Sequence, residues 1–413
     1  MTTHSLAYAN TIKPYHLTVG IFNWKSIKER ISYEIKLMII EIMNDFCLSK
    51  YVNFDTYIDS KKDVKDQMNS LDTRIIPLAK KYLHEMMSGK ISITHAGYLK
   101  MYHMLLTNNQ IKHKKFDFLA LDECGDINPV TLEIFKLLPA TKKIMVGDEN
   151  QNIYTFNKTI NGFEAMKDEG LQLNMTRSFR CDPSIARRIE LFSRKYIDPN
   201  MEFKGTKSED STTRTKAIIS RTNSALIGEI IELLKMNEKF NLTRKSSVIF
   251  ELILIMINLK PGGKIFSTEW KFIQEDVDEW DRDLYLQESF RTPLAYITYK
   301  YAMEPAIKTS MGIISKYGIP DIYNAYEYAK KHENEKNHAI TLCTAHSSKG
   351  LEFDIVEITN DMNNSIEELI EEQKPIEEYT KGDLESMRLY YVACSRATKV
   401  LKNAKWLPID TEN

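Results

Sequence analysis

Leu119-Ala-Leu-Asp-Glu-Cys-Gly-Asp126 is the stretch on which the fold turns. It completes Phe116-Asp-Phe-Leu-Ala-Leu121, a short apolar run ending in carboxylates, which reads as a buried strand. Helical periodicity follows over Val130–Leu138, and then Lys143-Ile-Met-Val146, a second such strand, ends at Gly147-Asp148. Strand, helix, strand at this spacing predicts a parallel α/β sheet. Carboxylates placed directly after a buried parallel strand stand at its carboxyl end, where open α/β sheets bind ligands. An Asp followed by a Glu suits nucleotide hydrolysis there. The first can hold Mg2+ through water, and the second can polarise the attacking water. The bland alternative is that such carboxylates cap the next helix.

The second strand runs into Val146-Gly-Asp-Glu-Asn-Gln-Asn-Ile-Tyr-Thr-Phe156, which puts Asp148 and Gln151 on the same edge. A neutral amide at that place can sense a γ-phosphate and report it to a second site. Three further clusters lie beyond this loop. Ser178-Phe-Arg180 offers an aromatic face beside a guanidinium. Thr344-Ala-His-Ser-Ser-Lys-Gly-Leu-Glu-Phe353 follows a strand and supplies His, Lys, Gly and Glu in one turn. Arg388-Leu-Tyr-Tyr-Val-Ala-Cys-Ser-Arg396 sets an Arg after an apolar stretch, as an arginine completing a phosphate site requires. Any one of these arginines alone reads as a surface ion pair; the ordered set is specific.

Around these clusters the chain is mixed. From Ser26 to about Met104 apolar residues recur at three- and four-residue spacing, as in Ile31, Ile35, Met38, Ile39, Ile42 and Met43, a helical pattern. A polar stretch, Lys204–Thr215, precedes a strand at Ala217-Ile-Ile219. Asn237 to about His338 is predominantly helical, with a turn at Pro261-Gly-Gly263. Strand character returns at Ala339-Ile-Thr-Leu-Cys343 and Phe353–Ile358, and the acidic run Ile366–Glu378 reads as a solvated face. The most apolar run, Val248–Ile257, is broken by Glu251 and falls short of the ~20 residues that span a bilayer. It reads as a buried helix or strand.

Composition sets outer bounds. The 413 residues allow about three domains or two large ones. With 43% hydrophobic and 27% charged residues, global disorder is excluded, and 15 Gly with 12 Pro exclude a collagen-like chain. Lys+Arg (56) and Asp+Glu (57) nearly cancel, so nucleic-acid binding would have to come from a local groove. Five isolated cysteines without C-x-x-C spacing argue against a disulfide framework or zinc site and fit a reducing compartment. The first residues lack a basic and apolar leader. The expectation is a soluble intracellular protein, cytoplasmic or nuclear, with no membrane partner.

The ordered set resembles the UvrD/Rep-type superfamily 1 DNA helicases. DECGD is similar to their D-E-A-Q-D box and GDENQNIYTF to their G-D-x-x-Q-x-I-Y box, with SFR, TAHSSKGLEF and RLYYVACSRA following in family order. Thr3-His-Ser-Leu-Ala-Tyr8 resembles the T-F-H-S-x-A-Y motif. Thr94-His-Ala-Gly-Tyr-Leu-Lys100 and Ser220-Arg-Thr-Asn223 look most like the F-box DNA helicase branch, although no F-box is apparent. The resemblance implies ATP and Mg2+ as cofactors and single-stranded or forked DNA as partner. Asp122 would hold Mg2+ and Glu123 would activate water. Gln151, Arg180 and Arg396 would contact the γ-phosphate. Phe179 would stack on adenine, Glu352 would meet the ribose, and Gly350 would shape the cofactor turn. His4, Phe156 and His346 would face single-stranded DNA, Phe156 as a stacking platform, while Tyr154 would pack. Gly125 in place of the box Gln would weaken coupling between sites, and Asn157, where many relatives have Arg, would weaken a DNA contact.

The implied fold is α/β: tandem RecA-like P-loop NTPase motor domains with helical insertions, the first N-terminally truncated. Residues 1–165 would be the remainder of the first domain, with an insertion near about 15–110. Residues 166–413 would be the second, UvrD-like C-terminal domain, with a reduced insertion near about 237–337. The implied mechanism is ATP-driven closure of the cleft between the domains, ratcheting 3′-to-5′ along one strand, in DNA repair or recombination. A phosphate cradle, G-x-x-x-x-G-K-[ST], is the missing part. Gly89-Lys90 and Gly263-Lys264 are each followed by Ile, and neither has the upstream Gly. The expectations left open are an impaired ATPase, a non-catalytic DNA- or partner-binding remnant, and a cradle supplied by another chain or lost to a misplaced start codon.

Overall fold

Strand β1 (Phe116–Leu121) pairs in parallel with β2 (Ala140–Met145), Phe116 opposite Ala140 and Leu121 opposite Met145. They belong to the first of two units, Met1–Gln172 and Leu173–Asn413. The computed structural model describes residues 2–153, 159–206, 212–265, 267, 270–302, 304–335 and 338–408.

In the first unit the helical periodicity becomes a bundle. Helices Thr3–Tyr15, Tyr33–Leu48, Ile75–Met87 and His95–Thr107 bury a common core that includes Ile39, Ile42, Met43, Phe46, Tyr82, Leu83, Met86, Leu99 and Tyr102. Thr2, Ser32 and Thr94 cap three of these helices by accepting from the amides of Ser5, Ile35 and Gly97, each cap worth about 1 kcal/mol. Helix Pro129–Leu137 shares Val130 and Ile134 with that core and presents Leu132 and Phe135 to Leu119, Leu121 and Met145 of the strands.

Only one face of β1–β2 is covered. Period-two alternation sends Phe118, Ile144 and Val146 to the other side, where they are 63%, 46% and 41% exposed. The sequence expectation of buried strands is corrected to this extent. The apolar composition is that of a parallel sheet covered on both faces, but no described element of the unit lies over the second face.

The second unit holds a five-stranded, all-parallel sheet of order β4-β5-β3-β6-β7. The strands are β3 (Lys216–Ser220), β4 (Phe240–Leu242), β5 (Ile340–Thr344), β6 (Phe353–Ile358) and β7 (Ala397–Lys402). Central β3 is buried from Ala217 to Ser220, and its Ile and Ala side chains explain why it reads so clearly as a strand. Helices Asn223–Lys235 and Pro305–His332 pack with β3, β4 and β5 around Ile227, Ile230, Phe250 and Leu342. The latter breaks at Gly318, which holds φ +77° two residues before Pro320. Helices Pro183–Tyr196 and Lys381–Cys394 meet through Phe192 and Tyr390, ring centroids 5.3 Å apart. A small separate core of Leu252, Met256, Ile273, Val277, Tyr296 and Ile297 gathers helices Glu251–Ile257, Phe272–Arg282 and Pro293–Lys300. The apolar run Val248–Ile257 is therefore helical. Edge strands β4 and β7 escape the sequence reading because they are short or alternate Lys with apolar residues. Among the described residues no helix is long and apolar enough to cross a membrane.

Candidate functional site

Asp122 and Glu123 stand exposed at the carboxyl end of β1. Asp122 Oδ1 accepts the Glu123 amide at 2.9 Å, and Glu123 adopts the left-handed conformation with φ 57°. For a non-glycine residue that conformation costs on the order of 1 kcal/mol, so the loop around it has to hold it in place.

The holding elements are backbone contacts. The Cys124 amide donates to the Val146 carbonyl at 3.0 Å, tying the end of β1 to the end of β2. A Cβ at Gly147 would come within 2.7 Å of the Cys124 nitrogen, and one at Gly125 within 2.3 Å of the Asp148 carbonyl oxygen. The two loops touch through main chain because both positions lack a side chain. Asp148 then splits its carboxylate, Oδ1 accepting the Asn150 amide and Oδ2 accepting Gln151 Nε2, each at 2.9 Å. Gln151 is thus fixed on the same edge as Asp122 and Glu123. Phe156, Tyr154 and Asn157, which continue this loop, lie outside the described residues.

In the second unit the candidate residues divide between the two edges of the sheet. At the amino edge of β6 and β7, Arg180 Nε bonds Glu352 Oε1 at 2.6 Å, and Phe179 is 80% exposed beside them in sequence. Gly350 holds φ +81°, turning the chain towards Glu352. Arg396 is almost fully buried. Its Nε donates to the Val392 carbonyl at 3.0 Å and one terminal nitrogen to Ser395 Oγ at 2.9 Å. In this arrangement its guanidinium is engaged inside its own unit.

His346 is at the opposite, carboxyl edge. It sits half-buried in the short helix Ala345–Ser348 that follows β5, with Thr344 and Ser347 forming a capping box. Because β5 and β6 are both parallel to β3, the residues between Thr344 and Phe353 must return from one edge to the other. One motif therefore carries His346 at one edge and Glu352 at the other. Also on the carboxyl edge, after β6, Asp361 accepts the amides of Arg221 and Thr222 at 3.3 and 3.0 Å, which positions the Ser220-Arg-Thr-Asn223 segment.

His4 lies in the first turn of its helix, Nδ1 3.1 Å from the Tyr98 hydroxyl. It belongs to the first unit with Asp122, Glu123 and Gln151, while Phe179, Arg180, His346, Gly350, Glu352 and Arg396 belong to the second.

A family profile for the UvrD/REP helicase N-terminal domain matches residues 15–169, and one for the UvrD-like helicase C-terminal domain matches residues 297–403. The chain belongs to the UvrD-like helicase family. The parallel α/β architecture of both units is that of its RecA-type domains. Among relatives, F-box DNA helicase protein 1 of Schizosaccharomyces pombe is 24% identical over 327 residues, covering 74% of this chain and 35% of its own length. A probable DNA helicase II homolog of Mycoplasma genitalium is 24% identical over 396 residues, covering 82% of this chain and 55% of its own length. The chain thus spans between about a third and a half of the curated relatives it matches. Within this UvrD-like chain, His4, Phe179 and Arg180 lie outside both matched segments.

Sequence reading missed the Asp148–Gln151 bond, the close approach at Gly125 and the hold of Asp361 on the Arg221 and Thr222 amides. Gly125 and Gly147 were visible as glycines flanking the carboxylates. What they are for depends on which loop lies opposite.

Proposed function

We propose that this chain carries out ATP-dependent, 3′-to-5′ translocation or unwinding of DNA, in repair or recombination, with its phosphate cradle supplied from outside these 413 residues. The observation that carries the reading is the joined end of β1 and β2, where Asp122, Glu123 and Gln151 share one strand edge. The exposed Asp122 carboxylate at the strand end fits Mg2+, which keeps several waters and takes one or two carboxylates plus phosphate oxygens. Among the described residues no cluster of three or more metal-ligating side chains competes with it. When bound, Mg2+ would neutralise charge on the phosphates. Glu123 would take a proton from the attacking water, and Gln151, held by Asp148, would turn its amide to the γ-phosphate. In the second unit Phe179 would stack on adenine, Glu352 on the ribose side, with Gly350 shaping the turn, while Arg180 and Arg396 would meet phosphate charge. His4, Phe156 and His346 would contact single-stranded or forked DNA.

A second reading, a non-catalytic DNA- or partner-binding protein, is favoured by one feature: no G-x-x-x-x-G-K-[ST] occurs in the sequence. A second chain supplying that loop would reconcile the two, and the bare face of β1–β2 suits such an addition. ATP hydrolysis measured with single-stranded DNA decides between them. Turnover that falls at least about 100-fold in Glu123→Gln supports the motor. DNA binding without turnover supports the second reading.

A further inference from the structure

Two imidazoles converge on one phenol in the first unit. His4, near the start of helix Thr3–Tyr15, and His95, which opens helix His95–Thr107, each place Nδ1 3.1 Å from the Tyr98 hydroxyl. Both rings meet the Tyr98 ring edge to face, at 5.6 and 5.5 Å, and lie 6.2 Å from each other. Tyr8 packs on Tyr98 at 6.0 Å. Tyr98 is only 3% exposed, while His4, His95 and Tyr8 are at the surface. The two segments echo each other in sequence: Thr3-His4 is followed by Tyr8, and Thr94-His95 by Tyr98.

The chemistry of this arrangement is restrictive. A phenol hydroxyl has one hydrogen to donate and lone pairs to accept with. Between two neutral imidazoles it donates to one Nδ1 and accepts from the Nδ1–H of the other. The two Nε2 atoms are then unlike, one a donor and one an acceptor. Adding a single proton to the bare Nε2 makes both Nε2 atoms donors, while the hydroxyl still donates to one Nδ1 and accepts from the Nδ1–H of the other. The pair then shows solvent two N–H groups and a positive charge, a match for phosphate oxygens.

We propose that His95 joins His4 in a paired clasp for a phosphate of single-stranded DNA, with Tyr98 as the shared positioning group, so that DNA binding takes up a proton. This rests on the reading of His4 as a DNA-facing residue. The groups that face His4 are His95 and Tyr98, and Tyr8 packs on Tyr98 in turn. Partial burial holds the His4 imidazole below its ordinary range, and His95 pushes in the same direction. Protonation of His4 is therefore disfavoured until an anion draws the proton in. An anion raises the imidazole pKa, so affinity is highest at low pH and falls as pH rises through the bound-state value.

The test titrates the whole chain with labelled oligothymidylate, whose bases do not ionise in this range, between pH 5.5 and 7.5. Wild-type affinity is expected to weaken about tenfold across that interval, up to one proton being linked to binding. His95→Gln should bind less tightly at the acid end and flatten the profile to within about twofold. His95→Lys, charged throughout, should restore binding and remain flat. An unchanged pH profile in His95→Gln, with binding still weakened by His346→Ala, overturns the clasp alone. Absence of oligothymidylate binding by wild type at every pH overturns the DNA reading and the clasp with it.

Discussion

Arg180 and Glu352, which the family resemblance assigns separately to phosphate and ribose, are bonded to each other, Nε to Oε1 at 2.6 Å. Their side chains are 47% and 43% exposed, so the pair is solvent-screened and worth at most about 1 kcal/mol. A pair this weak holds both groups in place without resisting a nucleotide that needs them. Arg180→Gln is expected to lower unfolding stability by less than about 1 kcal/mol in urea titration. The same substitution should weaken binding of a fluorescent ATP analogue by about tenfold or more, the loss expected for one charge-assisted phosphate contact.

Gly125→Ala should be costly despite adding one methyl. Its Cβ would stand 2.3 Å from the Asp148 carbonyl oxygen, a backbone atom tied into the loop that holds Gln151. Forcing those loops apart should destabilise the chain by about 1–3 kcal/mol. Gly170→Ala is the control, since nothing lies within 4 Å of a Cβ there, and it should stay within about 0.5 kcal/mol of wild type. Urea midpoints of the two variants make the comparison. The position where the sequence suggested weakened coupling is therefore one of close packing.

Lys100 supplies a prediction in pH. It is fully buried, and Nζ donates to the carbonyls of Ser49 and Tyr51 at 2.6 and 2.8 Å, beyond the end of helix Tyr33–Leu48. Burial pulls its pKa down to about 8, against smaller opposing effects of Cys47 and Glu133. In the unfolded chain a lysine titrates near about 10.4. Between those values the unfolded state binds more protons, so this group makes stability rise with pH from about 8 to about 10.4, and contributes no slope below that window. The gain is on the order of 3 kcal/mol. Cys47 acts oppositely, its thiol pushed up to about 12 by burial, so total stability mixes the two. The measurement is the difference between wild type and Lys100→Met in urea titrations across pH 8 to 10.5. That difference should shift towards wild type as pH rises.

The residues that were legible from sequence are those whose role is written in local order. Phe116–Leu121 announced β1 through its apolar run, and Asp122-Glu123 announced an edge because carboxylates cannot continue a buried strand. The helical bundle was legible in the spacing of Ile35, Met38, Ile39 and Ile42. What was not legible depends on partners distant in sequence. The Asp148 carboxylate could have faced solvent, and nothing local says that it takes Gln151 instead. Arg396 reads from sequence as the arginine after an apolar stretch that completes a phosphate site, and nothing local says that the Val392 carbonyl also takes its Nε. His95 carried no chemical signal of its own, and its meaning comes from the register that brings two helix starts to Tyr98. Asp354 is a further case: it accepts from the amides of Arg214 and Thr215, which precede it by 140 and 139 residues, and pairs with Lys399, later in the chain, at 3.0 Å.

The bare face of β1–β2 gives the last prediction. Phe118 and Ile144 are 63% and 46% exposed on neighbouring strands, with Lys142 Nζ 5.6 Å from the Phe118 ring centroid. A buried Phe or Ile contributes about 1.5–3 kcal/mol, whereas one left in water contributes little. The double substitution Phe118→Lys, Ile144→Lys should therefore leave the urea midpoint of the isolated chain within about 0.5 kcal/mol of wild type. Exposed apolar strands also offer a surface for association. Light scattering at rising concentration should show self-association of wild type that the double variant lacks. Loss of stability in the variant would mean that the face is covered within the chain. If a second chain completes the sheet, the same variant should fail to recruit it while keeping its own fold, which separates a docking surface from a structural core.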